Sequence, residues 1–234
     1  MGFENMDFAA GEVLLIDKPL EWTSFDVVKK IRYLIKIKKI GHAGTLDPLA
    51  TGLLILCTGK KTKSINEYQG MEKEYVGKMV IGKTTPSHDL ETEISEGGPI
   101  DGITEEDVRK VTEKFTGDIE QIPPIFSAIK VDGKRVYKSA RKGKEVKLEP
   151  RPVSVREFEI TEVNFPEISF RITCSKGTYI RSLVRDMGDE LGCGAYMSAL
   201  RRTRIGEFKV DDAYQLNDFV KQYQEFRDES LPGD

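Results

Sequence analysis

From Leu53 to Cys57 the chain reads Leu-Leu-Ile-Leu-Cys without a polar break and then stops at Gly59. A run that short and that apolar predicts a buried strand. Around it the pattern changes period several times. Glu12 to Asp17 is a short apolar strand ending in Asp-Lys-Pro. Phe25, Val28, Ile31 and Leu34 recur at helical spacing behind Thr23 or Ser24, either of which can cap. Lys73 to Gly82 alternates as a strand. Thr104 opens a second helix with Glu-Glu-Asp in its first turn, ending near Gly117. Asp132-Gly133 marks a hairpin, and Val136 to Gly143 reads as a short basic helix. Val153 to Val163 and Glu167 to Cys174 alternate as two strands about Asn164-Phe-Pro. Thr178 is expected to cap a helix with Ile180, Leu183, Val184, Met187 and Leu191 on one face and Gly192 past its end. Ala195 to Glu207 is a strand region, and a last helix lies near Tyr214 to Tyr223. The fold class expected is α+β, a mixed, mainly antiparallel sheet flanked by helices.

The segment just before the buried run, Ile40 to Gly52, is built like a loop. Gly41, Gly44 and Gly52 open backbone angles closed to other residues. Pro48 fixes a turn and pushes Asp47 towards an extended conformation. Asp47 stands five positions after His42, one of only two histidines in the protein. A single carboxylate on a stiff loop anchored by a core strand suits presentation to a substrate. The plainer alternative is an Asp capping a turn.

Composition narrows the class. The mixture of apolar and charged residues is that of a globular protein, and 234 residues supply ample core. No apolar run approaches membrane-spanning length, and the first seven residues carry acids without bases, so no signal peptide is expected there. Cys57, Cys174 and Cys193 are too few and too scattered for a disulfide framework or a metal site. The expectation is a cytoplasmic protein that needs no metal. The net charge of -3 hides an uneven distribution. Lys29 to Lys39 holds six basic residues and no acid, and Lys130 to Arg156 holds ten against Asp132, Glu145 and Glu149. Asp89 to Asp118 holds ten acids against three bases. A basic face beside acidic ones is an electrostatic footprint for nucleic acid. Thr58-Gly-Lys-Lys-Thr lacks the spacing of a phosphate loop.

Gly41-His-Ala-Gly-Thr-Leu-Asp-Pro-Leu-Ala-Thr-Gly52 resembles the signature of the TruB family, the tRNA pseudouridine(55) synthases. The resemblance recurs. Asp17-Lys18-Pro19 with Trp22-Thr23-Ser24 resembles the family's first motif, except that Glu21 stands where Gly is usual. Lys73-x-Tyr75 matches the next. In Thr84-Thr85-Pro86-Ser87-His88-Asp89 the first of two family Asp positions is Thr85 and the second is kept as Asp89. Ser127-Ala128 with Lys130, Gly133, Tyr137, Ala140 and Arg141 matches a further pattern, and Lys176-Gly-Thr-Tyr-Ile-Arg181 another.

The resemblance implies the pseudouridine synthase fold with a central active-site cleft. It implies one catalytic domain over 1–234, with a basic thumb insertion at about 124–152 and no sequence left for a C-terminal PUA domain. It implies an isomerase, monomeric and without cofactor, that flips one uridine out of the T stem-loop of tRNA and remakes its glycosidic bond as C–C. Asp47 would be the nucleophile, Tyr75 would stack on the uracil, and Arg181 would be the partner of the catalytic carboxylate. His42 would help displace the base and Leu183 would floor its pocket. Lys18, Gly44, Thr45, Lys130, Tyr137, Arg141 and Tyr179 complete the expected substrate contacts. Two other classes stay open on the residues alone. A non-catalytic RNA-binding protein would keep the basic stretch, and a uracil-removing glycosylase would also use a fixed Asp.

Overall fold

The computed structural model describes residues 3–126, 130–131, 134–135 and 148–230. The chain divides into two compact units. One comprises Met1–Glu74 and Arg201–Asp234, the other Tyr75–Leu200.

The first unit contains β1 (Val13–Lys18), α1 (Ser24–Ile35), β2 (Ile40–Ala43), β3 (Ala50–Thr58) and α2 (Ile65–Gly70). The second unit begins inside β4 (Lys73–Ile81) and continues through α3 (Glu105–Glu113), β5 (Gly117–Gln121), β6 (Arg151–Asn164), β7 (Glu167–Cys174) and α4 (Ile180–Glu190). The chain returns to the first unit inside β8 (Ala195–Ile205) and ends there with α5 (Leu216–Ser230).

In the first unit the strand order is Tyr214–Gln215, β1, β3, β8, with β2 on β3. β1 pairs antiparallel with β3 and parallel with Tyr214–Gln215. β3 is buried on both sides, as its unbroken apolar run predicts. Leu54 and Leu56 pack with Val27, Val28, Ile31 and Phe219 under α1 and α5. Leu53, Ile55 and Cys57 pack on the opposite side with Ile205 and Val210. Fully burying each such side chain contributes about 1.5–3 kcal/mol, so this strand is the stiffest available anchor for whatever precedes it.

Thr23 caps α1 in a full capping box, accepting from Asp26 N while the Asp26 carboxylate accepts from Thr23 N. The face α1 buries is Val27, Val28, Ile31 and Ile35. Phe25, expected on that face, is 59% exposed, because the buried stripe is centred two positions further along the helix.

In the second unit the order is β4, β7, β6, β5, with β6 antiparallel to both β7 and β5. Phe158 and Phe170 meet edge to face across β6 and β7, with centroids 6.1 Å apart. Both units together bear out the mixed, mainly antiparallel pattern. Smaller differences have local causes. Ile40–Ala43 pairs with β3 as a strand, so the true loop begins at Gly44. α3 ends at Glu113, short of Gly117, because Gly117 already opens β5. The N-cap of α4 is Tyr179, not Thr178, whose hydroxyl donates to Ser175 O (3.0 Å) instead. Lys130–Val131 pairs with Lys134–Arg135. The Asp132-Gly133 turn and the helix expected at Val136 to Gly143, with Tyr137 and Arg141, lie outside the described residues. Cys57, Cys174 and Cys193 are buried free thiols. No described helix is long and apolar enough to cross a membrane.

Candidate active site

Asp47 sits half-buried in the loop between β2 and β3, and the first unit restrains that loop from both sides through its backbone. Ahead of Asp47, Leu46 N donates to Ser24 Oγ (2.9 Å) and Leu46 O accepts from the same hydroxyl (3.2 Å). After it, Pro48 O accepts from Glu21 N (2.9 Å) and from Lys18 Nζ (3.2 Å). Asp47's own carbonyl accepts from Ala50 N (3.1 Å) and closes the turn. Glu21 does this in the left-handed region, at φ 65, where the family usually places Gly.

Lys18 is fully buried. Its ammonium also donates to Pro19 O (2.9 Å) and Trp22 O (2.6 Å). Burial, with the charge of Arg202 adding, pushes its pKa down to about 8 against the opposing pull of Asp47, Asp17 and Asp26. Asp17 beside it accepts a two-pronged pair from Arg201, Nη1 to Oδ1 at 3.0 Å and Nη2 to Oδ2 at 2.6 Å. Among its described bonds Lys18 thus braces the loop and the start of α1.

Arg202 was not singled out by sequence reasoning for this site. Its guanidinium is buried, with Nε donating to Leu53 O (2.8 Å) and Nη2 to Gly44 O (3.1 Å). It therefore spans both ends of the Asp47 loop. Gly52, at φ +104, is required here, since a Cβ would lie 2.3 Å from Arg202 O. The available signal was alternation along β8, which puts Arg202 on the same inward face as Leu200. His42 is half-buried at the end of β2, and burial, assisted by Arg202, lowers its pKa so that it is neutral at pH 7. Thr45 is exposed on the loop.

The second unit holds the remaining predicted residues. Arg181 lies buried in the first turn of α4. Its Nη1 donates to Ser87 O (3.1 Å), its Nη2 to Phe126 O (2.9 Å), and its Nε is 3.6 Å from Asp89 Oδ2. The strap that receives it is tied internally. Thr85 Oγ (2.6 Å) and Ser87 Oγ (3.1 Å) both donate to Asp89 O, and Ser87 N donates to Thr92 Oγ (3.0 Å). Thr85, in place of a carboxylate, therefore serves the turn's own backbone. His88 within the strap has φ 62. Burial pushes its pKa down to about 4, with Arg185 and Arg181 adding and Asp89 opposing. Leu183 is fully buried and Tyr75 nearly so. Tyr179 is fixed by its backbone, its N donating to Gln121 Oε1 (2.8 Å) and its O accepting from Gln121 Nε2 (3.1 Å). Lys130 lies in its short strand.

The geometry thus gathers Lys18, His42, Gly44, Thr45 and Asp47 within one unit and Tyr75, Tyr179, Arg181 and Leu183 within the other. Residues 32–180 match the profile of the TruB family pseudouridylate synthase N terminal domain, nearly two thirds of the chain and including Asp47 and Tyr75. This chain belongs to the TruB family. Residues 181–232, beginning at Arg181, match the tRNA pseudouridylate synthase B C-terminal domain. A Flavobacterium johnsoniae protein named tRNA pseudouridine synthase B is 52% identical over 93% of this chain and 98% of its own length. One of the same name from Phocaeicola vulgatus is 53% identical over 92% and 94%. Among solved structures, a chain of a Cbf5-Nop10-Gar1 complex superposes with a TM-score of 0.75 at 32% identity, covering 96% of this chain. An H/ACA RNP bound to a substrate RNA containing 2'-deoxyuridine gives 0.72 at 30%, also covering 96% of this chain. This chain spans 58% and 57% of those two solved chains.

Proposed function

We propose that this protein converts uridine 55, in the T-loop of tRNA, to pseudouridine, with Asp47 as nucleophile and the target base turned out of its stack. The observation that carries the reading is the restraint on Asp47: its loop is held on both sides by Ser24, Lys18 and Arg202. Relatives named for tRNA pseudouridine synthase activity over nearly their whole length support tRNA as the substrate.

The reaction is an isomerisation. The N–C glycosidic bond breaks and a C–C bond forms between the same ring and the same sugar, so no co-reactant is consumed. A stacked base hides that bond, hence the need to flip it. A fixed carboxylate can attack the sugar carbon or an electron-poor ring carbon and hold the covalent intermediate while the ring turns. In this reading Tyr75 offers its ring to the uracil, Leu183 an apolar floor, and Arg181 positive charge to the reacting groups. Neutral His42 supplies bulk to the space the base vacates.

The test is conversion of unmodified tRNA transcript, followed by nucleoside analysis. Pseudouridine at position 55, with loss of product when that uridine is replaced by cytidine, is expected. Release of free uracil would favour a glycosylase, and unchanged RNA a binding protein.

A further inference from the structure

The water-facing side of α1 carries features that the Asp47 loop does not use. A cavity of about 510 Å3 lies there, lined by Glu21, Trp22, Asp26, Lys29, Lys30 and Tyr33. A second hollow of about 240 Å3 continues from Lys30 and Tyr33 towards Arg227 of α5. Tyr33 is 71% exposed, and Phe25 and Leu20 are also exposed nearby. Lys29, Lys30 and Lys36 are exposed as well, and the charge of Lys29 acts on Asp26 beside it. Exposed rings between exposed cations form the pattern on which a nucleic-acid strand lies, with bases on the rings and phosphates on the cations.

The Glu21–Trp22 end of the groove is tied to the Asp47 loop inside one unit. Glu21 N bonds to Pro48 O, the residue after Asp47, and Trp22 O shares Lys18 Nζ with that same Pro48 O. From Ser24 to Tyr33 along α1 is roughly 14 Å at the helical rise, the length of about four stacked nucleotides. Two acids line the cavity. The Asp26 carboxylate is taken up by Thr23 N and Oγ at 3.0 and 2.5 Å. Glu21 remains as an acceptor of the kind an exocyclic base amine satisfies.

We propose that this face of α1 is an RNA track: the strand flanking the target uridine passes from the Asp47 loop over Glu21 and Trp22 and runs along Lys29, Lys30 and Tyr33. The proposal rests on the reading of the chain as an RNA-modifying enzyme. It assigns part of the binding strength to a surface outside the chemistry.

The test uses the full chain and unmodified tRNA transcript, with equilibrium binding measured over a salt series and the conversion rate measured at saturating protein. Tyr33→Ala removes a stacking platform and should weaken binding by about tenfold. Tyr33→Phe, which keeps the ring, should bind as wild type. Lys29→Ala with Lys30→Ala should weaken binding and make the salt dependence shallower by about 1.5 in slope. The saturated single-turnover rate should stay within about twofold in all three, since none of these side chains reacts. All are exposed, and circular dichroism melts matching wild type establish that the variants fold. Wild-type affinity and salt slope in both the Tyr33→Ala and the double-lysine variants would overturn the track. So would a change of assembly state in Tyr33→Ala with RNA affinity unchanged, because the face would then serve a protein. Failure of the functional reading is separately visible: wild type would yield no pseudouridine, whereas loss of the track shows as unchanged binding by the variants.

Discussion

The Asp47 loop of the first unit and Arg181 of the second are charged groups restrained by opposite means. The first unit works on backbone. Ser24 holds Leu46, Lys18 holds Pro48, and Arg202 holds Gly44 and Leu53, so stiffness reaches the carboxylate through the chain on either side of it. The second unit works on the side chain itself. Arg181's own nitrogens are bound to Ser87 O and Phe126 O, with Asp89 alongside. The difference separates two kinds of fragility. Backbone bonds survive a chemical change in the side chain they flank. Bonds made by the side chain's own functional atoms do not, because they are lost with it.

The sharpest break of that comparison is at Asp47. Asp47→Asn keeps the shape and the backbone bonds of Leu46, Asp47 and Pro48, so activity should fall below detection while tRNA affinity stays within about threefold, an amide losing about one hydrogen bond's worth of contact. Turnover by the purified variant would remove Asp47 from the nucleophile's role. Arg181→Lys is the counterpart. It keeps the charge but loses the planar fork, and misplacement on the ångström scale costs about a hundredfold in rate. Unlike the Asp47 variant it should also lose about 2 kcal/mol of stability in denaturant titration, since one buried and one partly buried carbonyl lose a donor. Normal stability together with normal rate would mean its bonds are idle.

Arg202→Lys tests restraint through the backbone alone. One ammonium cannot reproduce bonds to both Gly44 O and Leu53 O. About 2 kcal/mol of stability should go, a fall of roughly 4–8 °C in Tm for a chain of this size, with a lower saturated rate and unchanged tRNA affinity. An unchanged rate would show that the loop keeps its shape without the clasp. Lys18 adds a pH signature. Its pKa stands at about 8 in the folded chain, below the ordinary value of about 10.5. Between those values the unfolded chain binds a proton that the folded chain has released. The contribution of this group to stability is therefore flat below about pH 8 and rises above it, on the order of 1 kcal/mol per pH unit. Urea titrations should show wild type gaining on Lys18→Met between about pH 7.5 and about pH 9.5. A constant difference would mean the ammonium stays charged.

The smallest effect compares the two strained straps. Glu21 and His88 both sit in the left-handed region, at φ 65 and 62. Glu21→Gly relieves strain at an exposed residue and should stabilise by about 1 kcal/mol. His88→Gly gains the same relief but gives up the packing of a half-buried ring, leaving a change near zero. Equal gains at both sites would show that the His88 ring contributes no packing.

The first unit's restraints were partly legible in the sequence. The run at Leu53 announced a strand buried on both sides, and the glycines and Pro48 announced the loop. Ser24 was visible only as an alternative cap, because a short-range rule cannot see Leu46 brought beside it from 22 positions away. Arg202 was hidden for a related reason. A guanidinium reads as surface until its carbonyl partners are known, and those lie about 150 positions upstream. In the second unit Arg181 was legible from its motif, whereas the Ser87 and Phe126 carbonyls that hold it carry no side-chain signal at all. Phe25 was misplaced because helical spacing defines a stripe but leaves its centre open by a residue or two.

The three buried cysteines make the two units separately observable. Cys57 belongs to the first, Cys174 and Cys193 to the second. Burial pushes the Cys57 thiol up to about 11 and raises that of Cys193. Neither presents appreciable thiolate while folded, so an alkylating reagent gains access only when the surrounding structure opens. Labelling rates resolved by peptide would then act as independent clocks, one per unit. Saturating tRNA would slow whichever clock belongs to the part of the protein that RNA holds closed.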